Sequence, residues 1–453
     1  MQILPSARQS APGLALAPFR GLRYAPDRVS GLAEVTSPPY DVIAHDTEGQ
    51  LLAADPHNVV RLILPRPGSG PDGDSYHEAA RLLHEWQDGG ILLPEDQPAL
   101  YVYEQSRVLR PGQPDADGAA GAGGVIQRGL IGALGLSPAS EGSVLPHENV
   151  LPGPVAGRRQ LMEATGANLE PIFLLYDGAG GAATGLTAQV ADCREPLLAV
   201  DTGDGVRHRL WAITDPAEHA AVAADLAGRQ ALIADGHHRH AAYLEIQARK
   251  QAAGAGAGPW DHGLALLVDS AAYPPRIGAI HRLVPGLAAA EAATRAKAAF
   301  TVRPGPLASG SPASASAALA ALAEAAQAGP AFLLAGPGES YLLTEPDPLQ
   351  LAAAMPGRSP QWRALAASVL QELLLPRLLG IRDDDPAVQI HHDAAEALRE
   401  AAGPPPGTAV LCPAMSAADV RDVAARGERV PRKSTSFGPK PRTGLVIRTF
   451  AQG

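Results

Sequence analysis

The sequence predicts an α+β fold, mixed α/β in element order and divided into more than one lobe, and three observations predict it. At 453 residues the chain exceeds the roughly 250–300 residues at which one hydrophobic core stops growing. Short β-rich runs alternate with helical periodicity, but without the steady βαβ beat of a doubly wound sheet. The segment Ala231-Leu-Ile-Ala-Asp-Gly-His-His-Arg-His240 reads as an apolar strand running straight into a helix start.

Taken in order, residues 1–18 read as a loosely held tail. A core follows over 19–284. Within it, His57-Asn-Val-Val-Arg-Leu-Ile-Leu64 reads as a strand, since an aliphatic run is bounded by Asp55-Pro56 and Pro65. Tyr76 to Gln87 repeats apolar residues at helical spacing and stops at Asp88-Gly-Gly90. Leu100–Gln105 and Val125–Leu134 read as a hairpin whose Gly/Pro/Asp-rich connection, 112–124, is expected to be mobile. Strand signals recur at 171–176, 209–213 and 263–268. From 285 to 453 the chain becomes an Ala-rich helical and α/β lobe: surface helices with a flexible joint near 303–312, an apolar helix over Leu365–Leu379, a strand at 408–411, a helix at 417–426 and a final strand at 444–450. No repeat of 20–50 residues is visible.

Composition narrows the function classes. Hydrophobic residues make up 46% of the chain and aromatics 4%, so Ala, Leu and Val must fill the interior. A formal charge of −10 argues against a nucleic-acid coat or a membrane-surface protein, both of which need a basic face. Cys193 and Cys412 are the two cysteines, too few for a disulfide framework, which fits a reducing compartment. No apolar run reaches the roughly 18 residues of a membrane span and no leader is legible at the start. A cytoplasmic protein is expected.

The chemistry concentrates at Asp235–His240. Asp235 is a good N-cap acceptor, Gly236 lets the backbone approach a ligand, and the first helical N–H groups point outward, which together make an anion site. His237, His238 and Arg239 add donors. His237 and His240 fall on one side of such a helix, with His238 about 100° away. A metal site would need further ligands, such as His147 or Glu148; packing of the histidines against the helix end is the plainer alternative. A second basic loop, Arg432-Lys-Ser-Thr-Ser-Phe-Gly-Pro-Lys440, offers Lys433, Ser434, Thr435 and Lys440 to a phosphate, though it lacks the Gly spacing of a Walker A loop. Asp41, Glu148 and Asp235 are the candidate carboxylates for accepting a hydroxyl proton in phosphoryl transfer. Arg61, His147, Asn149, His281 and Arg282 are further candidate contacts to substrate, each with an ordinary structural alternative.

Pro38-Pro-Tyr-Asp-Val-Ile43, His57-Asn-Val-Val-Arg-Leu62, His147-Glu-Asn149, Ala234-Asp-Gly-His-His-Arg239, His281-Arg-Leu-Val284 and Lys433-Ser-Thr435 with Phe437 and Pro439-Lys440 occur in this order. Together they resemble the bacterial and archaeal family catalogued as domain of unknown function 1015, over about residues 19–450. The Asp-Gly-His-His-Arg core is also similar to the phosphate-binding turn of the ParB and sulfiredoxin superfamily, to which free-serine kinases belong. That resemblance implies a ParB/sulfiredoxin-like nucleotide-binding core with large insertions and a C-terminal α/β lobe that completes the site. It implies a kinase that uses ATP or ADP with Mg²⁺ to make O-phosphoserine from L-serine, with residues 235–239 at the phosphates and Asp41 or Glu148 as base. His240, Val150, Ser436 and Gly438 depart from the residues common in the family and bear on the choice of substrate. Two other readings remain: a ParB-like nucleotide-binding regulator without kinase activity, and a metal-dependent hydrolase built on the histidines. Neither a membrane nor a nucleic-acid partner is expected, and the oligomeric state is left open.

Overall fold

The structure is a computed structural model that describes residues 13–43, 45–66, 74–107, 124–138, 142–306, 311–383, 385 and 387–451. It divides into two compact units: residues 1–146, 150–275 and 439–453 in the first, 147–149 and 276–438 in the second. The sequence reading places its division at residue 284; here residues 439–453 belong with the first unit.

The first unit is built on a nine-stranded sheet. Its strands are β1 (Leu16–Ala17), β2 (Leu100–Arg107), β3 (Val125–Gly135), β4 (Val144–Leu145), β5 (Ile172–Tyr176), β6 (Leu198–Asp201), β7 (Val206–Ile213), β8 (Ala231–Asp235) and β9 (His262–Asp269). They lie in the order β4-β8-β5-β9-β3-β2-β7-β6, with β1 beside β3. Only β5/β9 and β4/β8 pair in parallel; the rest are antiparallel. A mixed sheet of this kind accounts for the missing βαβ rhythm. The tail expectation fails at its inner end, because Leu14 and Leu16 are buried and β1 pairs with β3. The β2–β3 hairpin is as expected, while most of its connection lies outside the described residues.

Four helices of this unit matter for the site: α1 (Val60–Ile63), α2 (Ser75–Asp88), α3 (Pro152–Thr165) and α4 (His237–Ala252). The expected strand at 57–64 is instead α1. Asn58 turns the chain, its Oδ1 accepting from the Val60 N–H at 2.9 Å and its Nδ2 donating to the Glu34 carbonyl at 2.6 Å. A short run of wholly buried residues has no alternation to separate strand from helix. Helix α2 follows its sequence signals, with Asp74 capping the Tyr76 N–H at 2.8 Å and Gly89 following its end. Tyr243 and Ile246 of α4 and Val155 and Met162 of α3 pack on Leu100, Leu130, Ile172, Leu174, Ile233 and Leu267 of the sheet.

In the second unit, β10 (His281–Pro285), β11 (Thr301–Pro304), β12 (Phe332–Gly336), β13 (Glu339–Thr344), β14 (Gln389–His391) and β15 (Gly407–Leu411) form an antiparallel sheet ordered β11-β13-β12-β15-β10-β14. Helices α5 (Ala289–Ala296), α6 (Pro312–Ala326) and α7 (Ala394–Ala401) accompany it. The expected surface helices keep one exposed face, and the other packs on the sheet through buried Ala292, Ala293, Ala296, Ala318 and Leu322. The joint between them contains strand β11. Small alanines let these helices approach the sheet closely, so an Ala-rich face does not mean a solvent face. The apolar helix at 366–379 is present, with its segment Leu370–Leu379 wound as a π-helix around Pro376. The final strand is short, Arg448–Thr449 paired with Ala167–Asn168. Among the described residues, no helix is long and apolar enough to cross a membrane.

Candidate functional site

The turn between β8 and α4 carries the strongest sequence signal, and its geometry begins with a bulge. Ile233 faces Leu174 and Asp235 faces Phe173, so Ala234 is an extra residue in the ladder. Bulges re-aim the side chains beside them. Gly236 follows in the left-handed region at φ 93°, where a Cβ would meet Ile172 Cγ2 at 2.9 Å and Arg239 Nε at 3.2 Å. Only glycine takes that conformation in that space without strain. Gly236, and not Asp235, is the N-cap residue, which corrects the expected role of Asp235.

Asp235 instead accepts two charge-assisted bonds. Arg239 Nη2 lies 2.6 Å from its Oδ2 and Lys440 Nζ 2.6 Å from its Oδ1. Lys440 also pairs with Asp41 Oδ2, so two carboxylates converge on one ammonium. Arg239 Nη1 donates to the Pro171 carbonyl at 2.5 Å, and its guanidinium lies 5.8 Å from the Tyr40 ring centre. Tyr40 N–H donates to Glu170 Oε1 at 3.0 Å, and Arg158 stacks 4.3 Å from the same tyrosine ring. The result is a chain of alternating charge, Asp41–Lys440–Asp235–Arg239, held between a strand end and a helix start.

Burial and repulsion drive the two aspartates apart. At Asp41 the cost of burial is outweighed by Lys440 and then Arg239, and its carboxyl sits below the usual value. Asp235 moves the other way, raised first by burial and then by the charge of Asp41, against Arg239 and Lys440. Its side chain is 11% exposed against 32% for Asp41, which agrees with that split. Burial alone would lower the Lys440 ammonium, but Asp235 and Asp41 raise it. Glu170, also buried, is raised by desolvation.

The basic cluster is less exposed than the sequence suggests. Arg239 is 2% exposed and turned inward, so it acts as a strut for Asp235. Its Nε is buried without a hydrogen-bond partner. His237 and His240 are buried; burial pushes His240 down to about 4, which keeps the ring neutral. His238 is half-buried, its Nε2 accepting from the Leu151 N–H at 3.1 Å. Arg61 is also structural in placement, donating to the Leu52 carbonyl at 2.7 Å.

The remaining sequence candidates form their own group in the second unit. His147 Nε2 is 3.0 Å from Thr435 Oγ1, its ring is 5.3 Å from that of Phe437, and its carbonyl accepts from the Val430 N–H at 2.7 Å. Ser434 Oγ donates to the Pro431 carbonyl at 2.5 Å. Arg282 is buried and pairs with Asp383 Oδ1 at 2.6 Å while donating to the Lys433 carbonyl at 3.0 Å. His281 Nδ1 accepts from the Cys412 N–H at 3.2 Å. Lys433 and Asn149 are exposed and Glu148 half-buried. The two motifs around His147 and Thr435 thus meet, while Arg282 and His281 already serve internal partners.

Sequence reasoning missed Tyr40, Arg158 and Glu170. Tyr40 adjoins Asp41 in a quoted motif and could have been found by that adjacency. Glu170 and Arg158 carry no local signal.

No curated protein sequence matches the chain. Among solved structures it is similar to a free serine kinase in complex with AMP, at 16% identity and a TM-score of 0.33, covering 67% of this chain and 88% of that one. It is also similar to a C-terminally truncated SbnI from Staphylococcus aureus, at 12% identity and a TM-score of 0.34, covering 70% and 87%. A conserved hypothetical protein from Pyrococcus furiosus matches at 16% and 0.32, covering 68% and 92%. The family described as protein of unknown function (DUF1015) matches residues 16–368, and the chain belongs to that family.

Proposed function

We propose that this protein is a nucleotide-dependent small-molecule kinase that phosphorylates an alcohol, free L-serine foremost, with ATP or ADP as donor. The observation that carries the reading is the convergence of Asp41 and Asp235 on Lys440 at the head of α4. Phosphoryl transfer to a hydroxyl needs a carboxylate to take the proton and fixed cations to spread the developing charge. Asp41 is the more exposed carboxylate and the one held ionised, so it is the base. Lys440 fixes its direction and supplies charge. Asp235 and Arg239 hold Lys440 from behind.

The head of α4 suits the phosphates. The N–H groups of a first helical turn lack acceptors within the helix and sum to a partial positive charge. A Cβ at Gly236 would crowd Ile172 and Arg239, so glycine lets the first N–H groups of α4 stand close to a bound phosphate. His238 is the half-exposed side-chain donor beside it. The hard carboxylate oxygens of Asp41 and Asp235 are the donor type that Mg²⁺ takes; when bound, that ion would neutralise phosphate charge.

In the transfer, Asp41 accepts the hydroxyl proton as the hydroxyl oxygen bonds to the terminal phosphorus. The bridging P–O bond breaks, leaving ADP from ATP or AMP from ADP. An open cleft of about 570 Å³ lined by Glu48, Arg66, Tyr76 and Arg158 lies next to the Tyr40–Arg158 stack. Side chains of both signs around it suit a zwitterionic amino acid. The test is incubation with Mg²⁺, L-serine and either nucleotide, with mass-spectrometric detection of O-phosphoserine. Absence of product with both nucleotides removes serine, and absence of nucleotide binding by calorimetry removes the kinase.

A further inference from the structure

Three side chains of the second unit, none of them used above, stand together at the open edge of its sheet. His391 ends β14, the edge strand, and Glu396 and Glu400 lie one turn apart on α7. We propose that His391, Glu396 and Glu400 form a divalent metal site of the Zn²⁺ class. The site is separate from the nucleotide reading and does not depend on it.

One ligand atom from each residue can be chosen so that all lie within 4.8 Å of one another. His391 Nδ1 is 3.6 Å from Glu396 Oε2, and Nε2 is 3.5 Å from Glu400 Oε2. A direct charge-assisted bond would be about 2.7–2.9 Å. With metal–ligand bonds of about 2.1 Å, neighbouring ligand atoms of a tetrahedral ion stand roughly 3.4 Å apart. The two contacts are made at opposite nitrogens of the ring, so one ion would take one nitrogen, with the three ligand atoms within 4.8 Å of one another.

An independent observation points the same way. The His391 side chain is 8% exposed, and its Nε2 is buried without a hydrogen-bond partner. Buried polar nitrogens are nearly always partnered, and an exception calls for a missing partner such as an ion. The helix is fixed where the carboxylates start, since Asp393 Oδ1 caps the Glu396 N–H at 2.7 Å. Residues i and i+4 share a helix face, so Glu396 and Glu400 flank the ring together. Both are about half exposed, which leaves the outward coordination position to water or to an exchangeable ligand. One imidazole with two carboxylates favours Zn²⁺, Co²⁺ or Ni²⁺ over Mg²⁺ and Ca²⁺, which prefer oxygen alone.

The experiment treats the full chain with chelator and then titrates Zn²⁺, with Ca²⁺ as a parallel arm, in the wild type, His391→Asn and Glu400→Gln. We expect one equivalent of Zn²⁺ with one nitrogen and two carboxylate oxygens in its X-ray absorption spectrum, and a rise in Tm on binding. Loss of a partner that merely orients a metal ligand weakens binding about 10–100-fold, so each variant should lose at least about tenfold. Glu400 is exposed, so that variant keeps the test open even if His391→Asn fails to fold. Zn²⁺ affinity unchanged in Glu400→Gln, or Ca²⁺ bound as tightly as Zn²⁺, overturns the proposal.

Discussion

Lys440 Nζ lies 2.6 Å from Asp235 Oδ1, which ties the segment 439–453 to the strand–helix turn in the middle of the chain. The ammonium is 17% exposed on its side chain and serves two carboxylates at once. Removing one partner of a mostly buried pair leaves uncompensated charge and costs about 3–5 kcal/mol. Lys440→Met should therefore lower the unfolding free energy by an amount of that order in urea titrations, and abolish turnover at temperatures where the variant remains folded.

Asp41→Asn separates the proposed base from the scaffold. Because Asp41 is the more exposed carboxylate and Asp235 still holds Lys440, the fold should survive, with a smaller loss of stability than Lys440→Met. Loss of a general base costs about 10²–10⁴ in rate. The expected result is that fall in kcat with nucleotide Kd little changed. A kcat equal to wild type would transfer the base to another residue.

Gly236→Ala tests the head of α4. The substitution forces a Cβ into the left-handed region and to 2.9 Å from Ile172 Cγ2. The backbone term alone is about 1–2 kcal/mol. Tm should fall, and nucleotide affinity should fall with it, since relief of the clash with Ile172 shifts the first N–H groups of α4.

Acid should weaken the fold in a defined window. His208 and His240 are both pushed down to about 4, chiefly by burial, while in the unfolded chain they titrate near 6.5. The unfolded state then binds more protons than the native state between these values, so stability rises with pH across the window and is lost as pH falls from about 6.5 toward 4. Each such histidine contributes a loss of about 2 kcal/mol at pH 5. His240→Leu removes one of them and its unpartnered Nε2. Denaturation at pH 5 and at pH 7.5 should show the variant gaining relative to wild type at the lower value.

Much of the first unit was legible because its strands alternate or end at strong turn residues. The β2–β3 hairpin, α2 and the β8–α4 turn all carry such signals. The segment 57–64 was not legible, because its apolar residues are buried almost throughout and its winding is decided by what Asn58 touches. The helices α5 and α6 were legible as surface helices, but which of their alanines face the sheet was not, since small side chains give no periodic contrast. In the site, Asp41, Asp235, Gly236 and Lys440 could be named from their motifs. Their pairing could not, because it depends on a bulge at Ala234 and on a segment far away along the chain. Arg239 was assigned to the ligand from residue type alone, and only the position of Pro171 and Asp235 turns it inward.

The placement of Lys440 also has a consequence for synthesis. During translation both aspartates and the helix behind them leave the ribosome long before the ammonium that neutralises them. A nascent or interrupted polypeptide ending before residue 440 leaves Asp41 without its ammonium partner and Asp235 with Arg239 alone, until the last stretch emerges and docks.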